Sequence, residues 1–263
     1  MEPEILFEGV SFRYPDGDRD VFTRLDLALP RGVVSLVGQN GTGKSTFLLL
    51  ASGRLLPTAG RVLVRGRDTR ELGDEEERQR LVSFVYQNLE FETEEPIGLL
   101  LETVAGSGVR PEASAALIPE LVDVFELEPV RSRRTQEVSK GELQRTILAF
   151  SLLYGSPILA MDEPIFALED GQKKRVMEYL CAYARRGGAS LFYSIHELDI
   201  SREHSDSILL FPKNGAPRIG PTAEIFTRET IEQAYEAPMD MLKRREALYR
   251  RYLVELLKVR GEG

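Results

Sequence analysis

The octapeptide GQNGTGKS, Gly38 to Ser45, satisfies G-x-x-x-x-G-K-[ST] at every fixed position, with apolar VVSLVG before it and helix-like KSTFLLLASG after its glycines. Glycines at this spacing let the backbone wrap around phosphates with its N–H groups inward, and a helix start adds a favourable dipole. Lys44 is placed to neutralise β- and γ-phosphates, and Ser45 to hold magnesium through its hydroxyl. The expected nucleotide-binding positions here are Gly38, Asn40, Gly41, Gly43, Lys44, Ser45 and Thr46. A second reactive set closes the apolar segment ILAMDEP, where Asp162 and Glu163 reach the strand end at which open α/β sheets bind ligands. Neighbouring side chains leave a strand on opposite faces, so the two are expected to divide the work. Asp162 is assigned to the magnesium shell and Glu163 to the attacking water.

A third stretch, VSKGELQRT, runs from 138 to 146. Ser139 and Glu142 have the S-x-x-E spacing of a capping box, in which each side chain satisfies a backbone N–H that the first helical turn leaves orphaned. Lys140 conflicts with that simple reading, because a cation at the positive end of a helix costs about 0.3–1 kcal/mol. An anion at that helix start would remove the conflict.

These groups need a scaffold, and the apolar pattern supplies one. Alternation at Ile5, Phe7, Phe12 and Tyr14, a turn at PDGD, then Leu25, Leu27 and Leu29 predict an antiparallel sheet. VVSLVG, LVSFVYQ, PILAMDEP, SLFYSIH and SILLFP read as strands, separated in part by helices, which implies a mostly parallel, covered sheet. GDEEERQR reads as a solvated helix face, and residues 97 to 155 as mostly helical, interrupted near GSGVRP and EPVRSRR. From about Pro221 the pattern is helical again, ending in an amphipathic run from Met241 to Lys258 that carries Lys243, Arg244, Arg245, Arg250 and Arg251. The expected class is α/β: a P-loop NTPase core with a mostly parallel sheet, an N-terminal antiparallel β subdomain, an inserted helical subdomain and a C-terminal helical extension. The expected boundaries are 1–226 for the ATPase domain, with 88–155 inserted in it, and 227–263 for the extension.

With 263 residues and 42% hydrophobic content the chain can bury a large core, and a formal charge of −8 argues against a general grip on nucleic acid. One cysteine, Cys181, excludes an intramolecular disulfide and is read as a packing residue; two histidines give little material for zinc. MEPEILFEG has no basic region followed by a long apolar one, so no secretory leader is expected. The longest apolar stretch, TILAFSLLYGSPILAM, is too short for a membrane span and is broken by Gly155, Ser156 and Pro157.

The order of these motifs over residues 4 to 226 resembles the nucleotide-binding domain of ABC transporters. VSKGELQR looks like that family's signature, VYQN at 85 to 88 like its Q-loop, and SIHE at 194 to 197 like its switch histidine. The resemblance implies that two such domains sandwich two ATP molecules with Mg2+. Ser139, Lys140, Gly141 and Glu142 would then face ATP held by the other subunit, which supplies an anion for Lys140. It also implies that Tyr14 stacks on adenine, that Gln87 touches magnesium or the lytic water, and that His196 senses the γ-phosphate. The implied partners are a second ABC ATPase subunit, as homo- or heterodimer, and membrane-spanning permease subunits. The implied location is the cytoplasmic face of the membrane, with the insertion and its Glu-rich EFETEEP docking the permease.

Three departures stand out: Lys140 and Glu142 where Gly and Gln are usual, Glu169 where the family's D-loop has Asp, and Ile165 in place of Thr. They leave every catalytic group in place and point to reduced or asymmetric activity. The tail IFTRETIEQAYEAPMDML is similar to that of iron-chelate and cobalamin importers, although the Gly-Arg-aromatic-Pro run expected of them after the Q-loop is missing. Import is therefore expected over export. A soluble ABC ATPase serving cofactor assembly or a scaffold remains open, while Glu163 argues against a degenerate, nonhydrolysing partner.

Overall fold

The computed structural model describes residues 2–87, 89–242 and 244. Asn88, the last residue of the Q-loop-like VYQN, and most of the basic run from Met241 to Lys258 lie outside the described residues.

Strands β1 (Ile5–Phe12), β2 (Phe22–Leu29), β4 (Ala59–Val64) and β5 (Arg67–Asp68) form an antiparallel sheet in the order β2-β1-β4-β5. Ile5, Phe7, Val10 and Phe12 all face inward because the register slips between Phe7 and Val10, a bulge that returns the even-numbered residues to the core. The second sheet contains β3 (Val33–Gly38), β6 (Val82–Val85), β7 (Ile158–Asp162), β8 (Ser190–Ser194), β9 (Ser207–Phe211) and β10 (Arg218–Pro221), in the order β10-β9-β3-β8-β7-β6. Its pairs are parallel except β10, which runs antiparallel to β9 at the edge. The sequence reading missed β10, a short strand that ends on Pro221, and helix follows from Thr222 as expected from about that position; proline is tolerated at such an edge.

Helix α1 (Lys44–Ala51) is clamped between the two sheets. Phe47 stacks on Phe7 with ring centroids 4.4 Å apart and meets Phe211 edge-on at 5.6 Å. Full burial of such a ring stabilises by about 1.5–3 kcal/mol, which fixes the helix whose first residue is Lys44. Helix α2 (Glu75–Leu81) buries none of its residues, as its charges imply. Helices α3 (Ile97–Ser107), α4 (Pro111–Val124) and α5 (Lys140–Tyr154) then pack together and, with α6 (Asp170–Gly187), cover the other face of the parallel sheet. Cys181 lies buried there, and burial pushes its thiol up to about 12, in keeping with a packing role. Helix α7 (Leu198–His204), the short α8 (Thr222–Ile225) and α9 (Arg228–Tyr235) follow. Ile231, Ala234 and Tyr235 of α9 share a core with Val37, Leu198, Ile208 and Leu210, behind the strand that leads into the glycine loop.

Candidate active site

Between β3 and α1 the chain turns through left-handed conformations at Gly41 (φ 78°) and Gly43 (φ 98°), which only glycine adopts cheaply. Gly43 caps α1 with no side-chain hydrogen bond, and the first turn carries no acidic residue. The amides of that turn therefore face the cleft with their positive ends uncompensated by any carboxylate of α1, the arrangement that receives an anion. Asn40 and Ser45 are exposed to the cleft, whereas Lys44 and Thr46 are buried. A Cβ at Gly38 would stand 2.5 Å from the Phe211 carbonyl oxygen, so the bare glycine is a packing requirement.

Lys44 Nζ donates to the Gly38 and Gln39 carbonyls at 2.8 and 2.9 Å. Burial draws its ammonium below the usual lysine range, and the charges of Glu163 and Asp162 act in the opposite sense. Gln39 is a residue that motif reading passed over. Its carbonyl holds Lys44 and accepts from Thr42 Oγ1 at 2.8 Å, while its side chain donates to the Tyr235 carbonyl at the end of α9. Tyr14 is 41% exposed, leaving a ring face available beside the loop, and its hydroxyl lies 3.0 Å from Thr46 Oγ1.

The two carboxylates separate by a route other than the expected one. Strand β7 ends at Asp162, and Glu163 takes a left-handed φ of 50°, so a turn rather than strand alternation parts them. Such a conformation at a non-glycine residue persists only when its surroundings hold it. Here the Glu163 N–H donates to Ser194 at the end of β8, 3.1 Å from Oγ and 3.2 Å from the carbonyl. Ser194 Oγ in turn donates to Asp162 Oδ1. Ser194 is thus a positioning residue that the sequence reading quoted inside SIHE without giving it a role; a hydroxyl residue closing a buried strand beside the carboxylate strand was the available signal.

Gln87 and His196 both reach Glu163. Gln87 Nε2 donates to Oε2 at 2.8 Å, and His196 Nε2 lies 2.6 Å from Oε1. Next to His196, Glu197 is held by Lys173 Nζ at 2.7 Å, which ties the switch-like segment to α6. Gly38, Lys44, Asp162, Glu163, Gln87 and His196 therefore converge on one edge of the parallel sheet, at the C-terminal ends of its strands.

Ser139, Lys140, Gly141 and Glu142 start α5 elsewhere. Both halves of the capping box form: Ser139 N donates to Glu142 Oε2 at 2.7 Å, and Glu142 N to Ser139 Oγ at 3.3 Å. Lys140 has a partner that the sequence reading did not foresee, since its Nζ lies 2.9 Å from Glu90 Oε1, just beyond Gln87. A carboxylate of the same chain already eases the clash with the helix dipole. Gly141 packs on the loop after Glu163, where an added Cβ would stand 3.0 Å from the Ala167 carbonyl oxygen.

Fold and site together define an ATP hydrolase of the P-loop class. Residues 22–166 match the family described as ABC transporter. The nickel import ATP-binding protein of Rhodobacter capsulatus is 30% identical over 243 residues, covering 88% of this chain and 94% of that protein. The hemin import ATP-binding protein of Nitrobacter winogradskyi is 28% identical, covering 82% of this chain and 83% of its own. Among solved structures, an ATP-binding subunit of an ABC transporter superposes with a TM-score of 0.75 at 22% identity, over 92% of this chain and 98% of that one. A dimeric bacterial ABC transporter cassette gives 0.72 at 22% identity, over 83% and 98%; at these identities the two structures speak for the fold. The chain belongs to the ABC transporter family.

Proposed function

We propose that this chain is the ATP-hydrolysing subunit of an ABC importer, acting as one of two copies that close on two ATP molecules. The observation that carries the reading is the Glu163 carboxylate, gripped by Gln87 and His196 beside Lys44. In this scheme the glycine-loop amides and Lys44 hold the β- and γ-phosphates, and Tyr14 supports the adenine. Glu163 takes the proton of the water that attacks the γ-phosphorus, ADP departs, and Gln87 and His196 orient the base. Ser194 fixes the Asp162 carboxylate and the backbone of Glu163. Ser139 and Gly141 complete the site of the other copy.

Ser45, Gln87 and Asp162 would hold Mg2+. Hydroxyl, amide and carboxylate oxygens are the hard donors this ion takes, and it binds by one or two carboxylates plus phosphates rather than in a protein cage. The absence of any cluster of three His, Cys, Asp or Glu among the described residues fits that mode. Bound there, the ion would neutralise charge on the phosphates. We assign residues 1–226 to the ATPase domain, 88–155 to an insertion that docks a membrane-spanning permease, and 227–263 to an extension. Among the described residues no helix is long and apolar enough to cross a membrane, so attachment at the cytoplasmic face falls to that permease. The similarity to nickel and hemin import subunits supports import.

Replacing Glu163 by Gln tests the reading. Turnover should fall by about 10²- to 10⁴-fold, the usual worth of a general base, with ATP still bound and a stable dimer on size exclusion. Unchanged turnover would remove Glu163 from its role. A turnover per molecule that is indifferent to dilution in a strictly monomeric preparation would overturn the two-copy site.

A further inference from the structure

Helix α4 ends at Val124, and the chain leaves it through a left-handed residue, Glu126, with φ 53°. The Leu127 N–H donates to the Val122 carbonyl at 2.9 Å and the Glu126 N–H to that of Asp123 at 3.2 Å, the two bonds of a Schellman motif. Glycine is the usual occupant of the left-handed position, because a Cβ is crowded there, so a glutamate must be held by contacts beyond the turn.

Those contacts come from two other helices. Glu126 Oε2 accepts from Arg145 at 3.1 Å and from Gln172 Nε2 at 3.0 Å, and Oε1 accepts from Arg175 at 3.2 Å. Arg145 stands within the first two turns of α5, and Gln172 and Arg175 within the first two of α6. Arg175 also donates to the Asp123 carbonyl at 3.1 Å, which closes the junction on the end of α4. Arg145 is the demanding partner. Its side chain is 10% exposed and its Nε has no hydrogen-bond partner among the described residues, so loss of the carboxylate would leave a largely buried guanidinium unpaired.

The helices joined here carry different parts of the proposed reaction centre. Helix α5 opens with the turn assigned to the other copy's ATP, and α6 continues the loop that starts at Glu163. At their tips the two already touch, Gly141 against the Ala167 carbonyl. Glu126 fastens them again, deeper along both helices.

We propose that Glu126 is a positioning residue for ATP hydrolysis: its carboxylate locks α5 to α6, so that the Ser139 to Gly141 turn offered to one ATP and the Glu163 loop serving the other move as one body. The inference rests on the two-copy site and adds the link between its two halves.

Glu126→Gly tests it, because glycine keeps the left-handed turn while the carboxylate is lost. At saturating ATP and well below the melting temperature, kcat should fall about tenfold, a loss within the range that mutations in such contact networks produce. ATP affinity of the dilute chain, read by equilibrium binding, should stay that of wild type. Arg175→Ala, which removes an exposed contact to the same carboxylate, should lower kcat about twofold and add nothing in the double variant. Glu126→Gln, of the same size and uncharged, replaces the glycine variant if that does not fold. A purely structural residue would lower Tm and leave kcat at saturating ATP unchanged; that result, or additive losses in the double variant, overturns the proposal. Failure of the two-copy reading has its own mark: wild-type turnover per molecule would be indifferent to dilution, and the proposal would fall with it.

Discussion

Helices α1 and α5 both begin where the sequence points to phosphate, yet their first turns are finished in opposite ways. Helix α1 has a left-handed glycine at its N-cap, no capping side chain and no acid in its first turn. Helix α5 has both halves of a capping box, a second contact from Arg133 to Glu142 at 3.7 Å, and a counter-ion for Lys140 in Glu90. An N-terminus without its own acceptors is prepared for an anion, and one with them is stable alone. In the proposed two-copy site, a phosphate brought to α5 by another copy would have to compete with the Glu142 carboxylate, whereas at α1 it would have no such rival. The departures of this signature, Lys140 and Glu142, are the residues that supply the internal satisfaction.

Breaking the open terminus should give the largest effect. Lys44→Ala removes charged hydrogen bonds to phosphate worth about 1.5–3 kcal/mol, so ATP affinity should fall by about 10- to 150-fold, read by equilibrium nucleotide binding, and hydrolysis with it. Ser139→Phe should abolish hydrolysis and leave ATP binding to the monomer intact; a collapse of monomer binding would show that α5 serves its own site and erase the contrast. Ser139→Ala isolates the cap, with an expected loss of about 1 kcal/mol in denaturant unfolding.

The smallest effect concerns pH. Burial favours raising the Glu142 pKa, but the hydrogen bonds with Ser139 and the charges of Arg133 and Arg145 together outweigh it and hold the carboxyl below the usual glutamate range. Its contribution to stability is therefore present above the unfolded-state value and disappears as pH falls through the lowered folded one. Glu142→Gln should flatten that acid-side dependence in melting curves; a slope equal to that of wild type would show the cap to be electrostatically idle.

Much of this was readable beforehand for local reasons. The glycine loop carries its conformation in its own residues, the strands carry period-2 or continuous apolar patterns, and the capping box spans four positions, Ser139 to Glu142. The edge strand β10 was not readable, because four residues ending in proline become a strand only by pairing with β9. The turn at Glu163 was hidden for the same reason, since the Ser194 contacts that hold it cross 31 positions.

By itself the sequence determined which groups are present and, where an element runs without a bulge or turn, which face they occupy, because those depend on covalent spacing and on the 3.6- and 2-residue periods. Only the tertiary structure decided their distant partners. Gln87 meets Glu163 across 76 positions, and the Gln39 side chain meets Tyr235 across 196. A side-chain hydrogen bond is won by whichever group packing brings within about 3 Å, and sequence distance does not measure that.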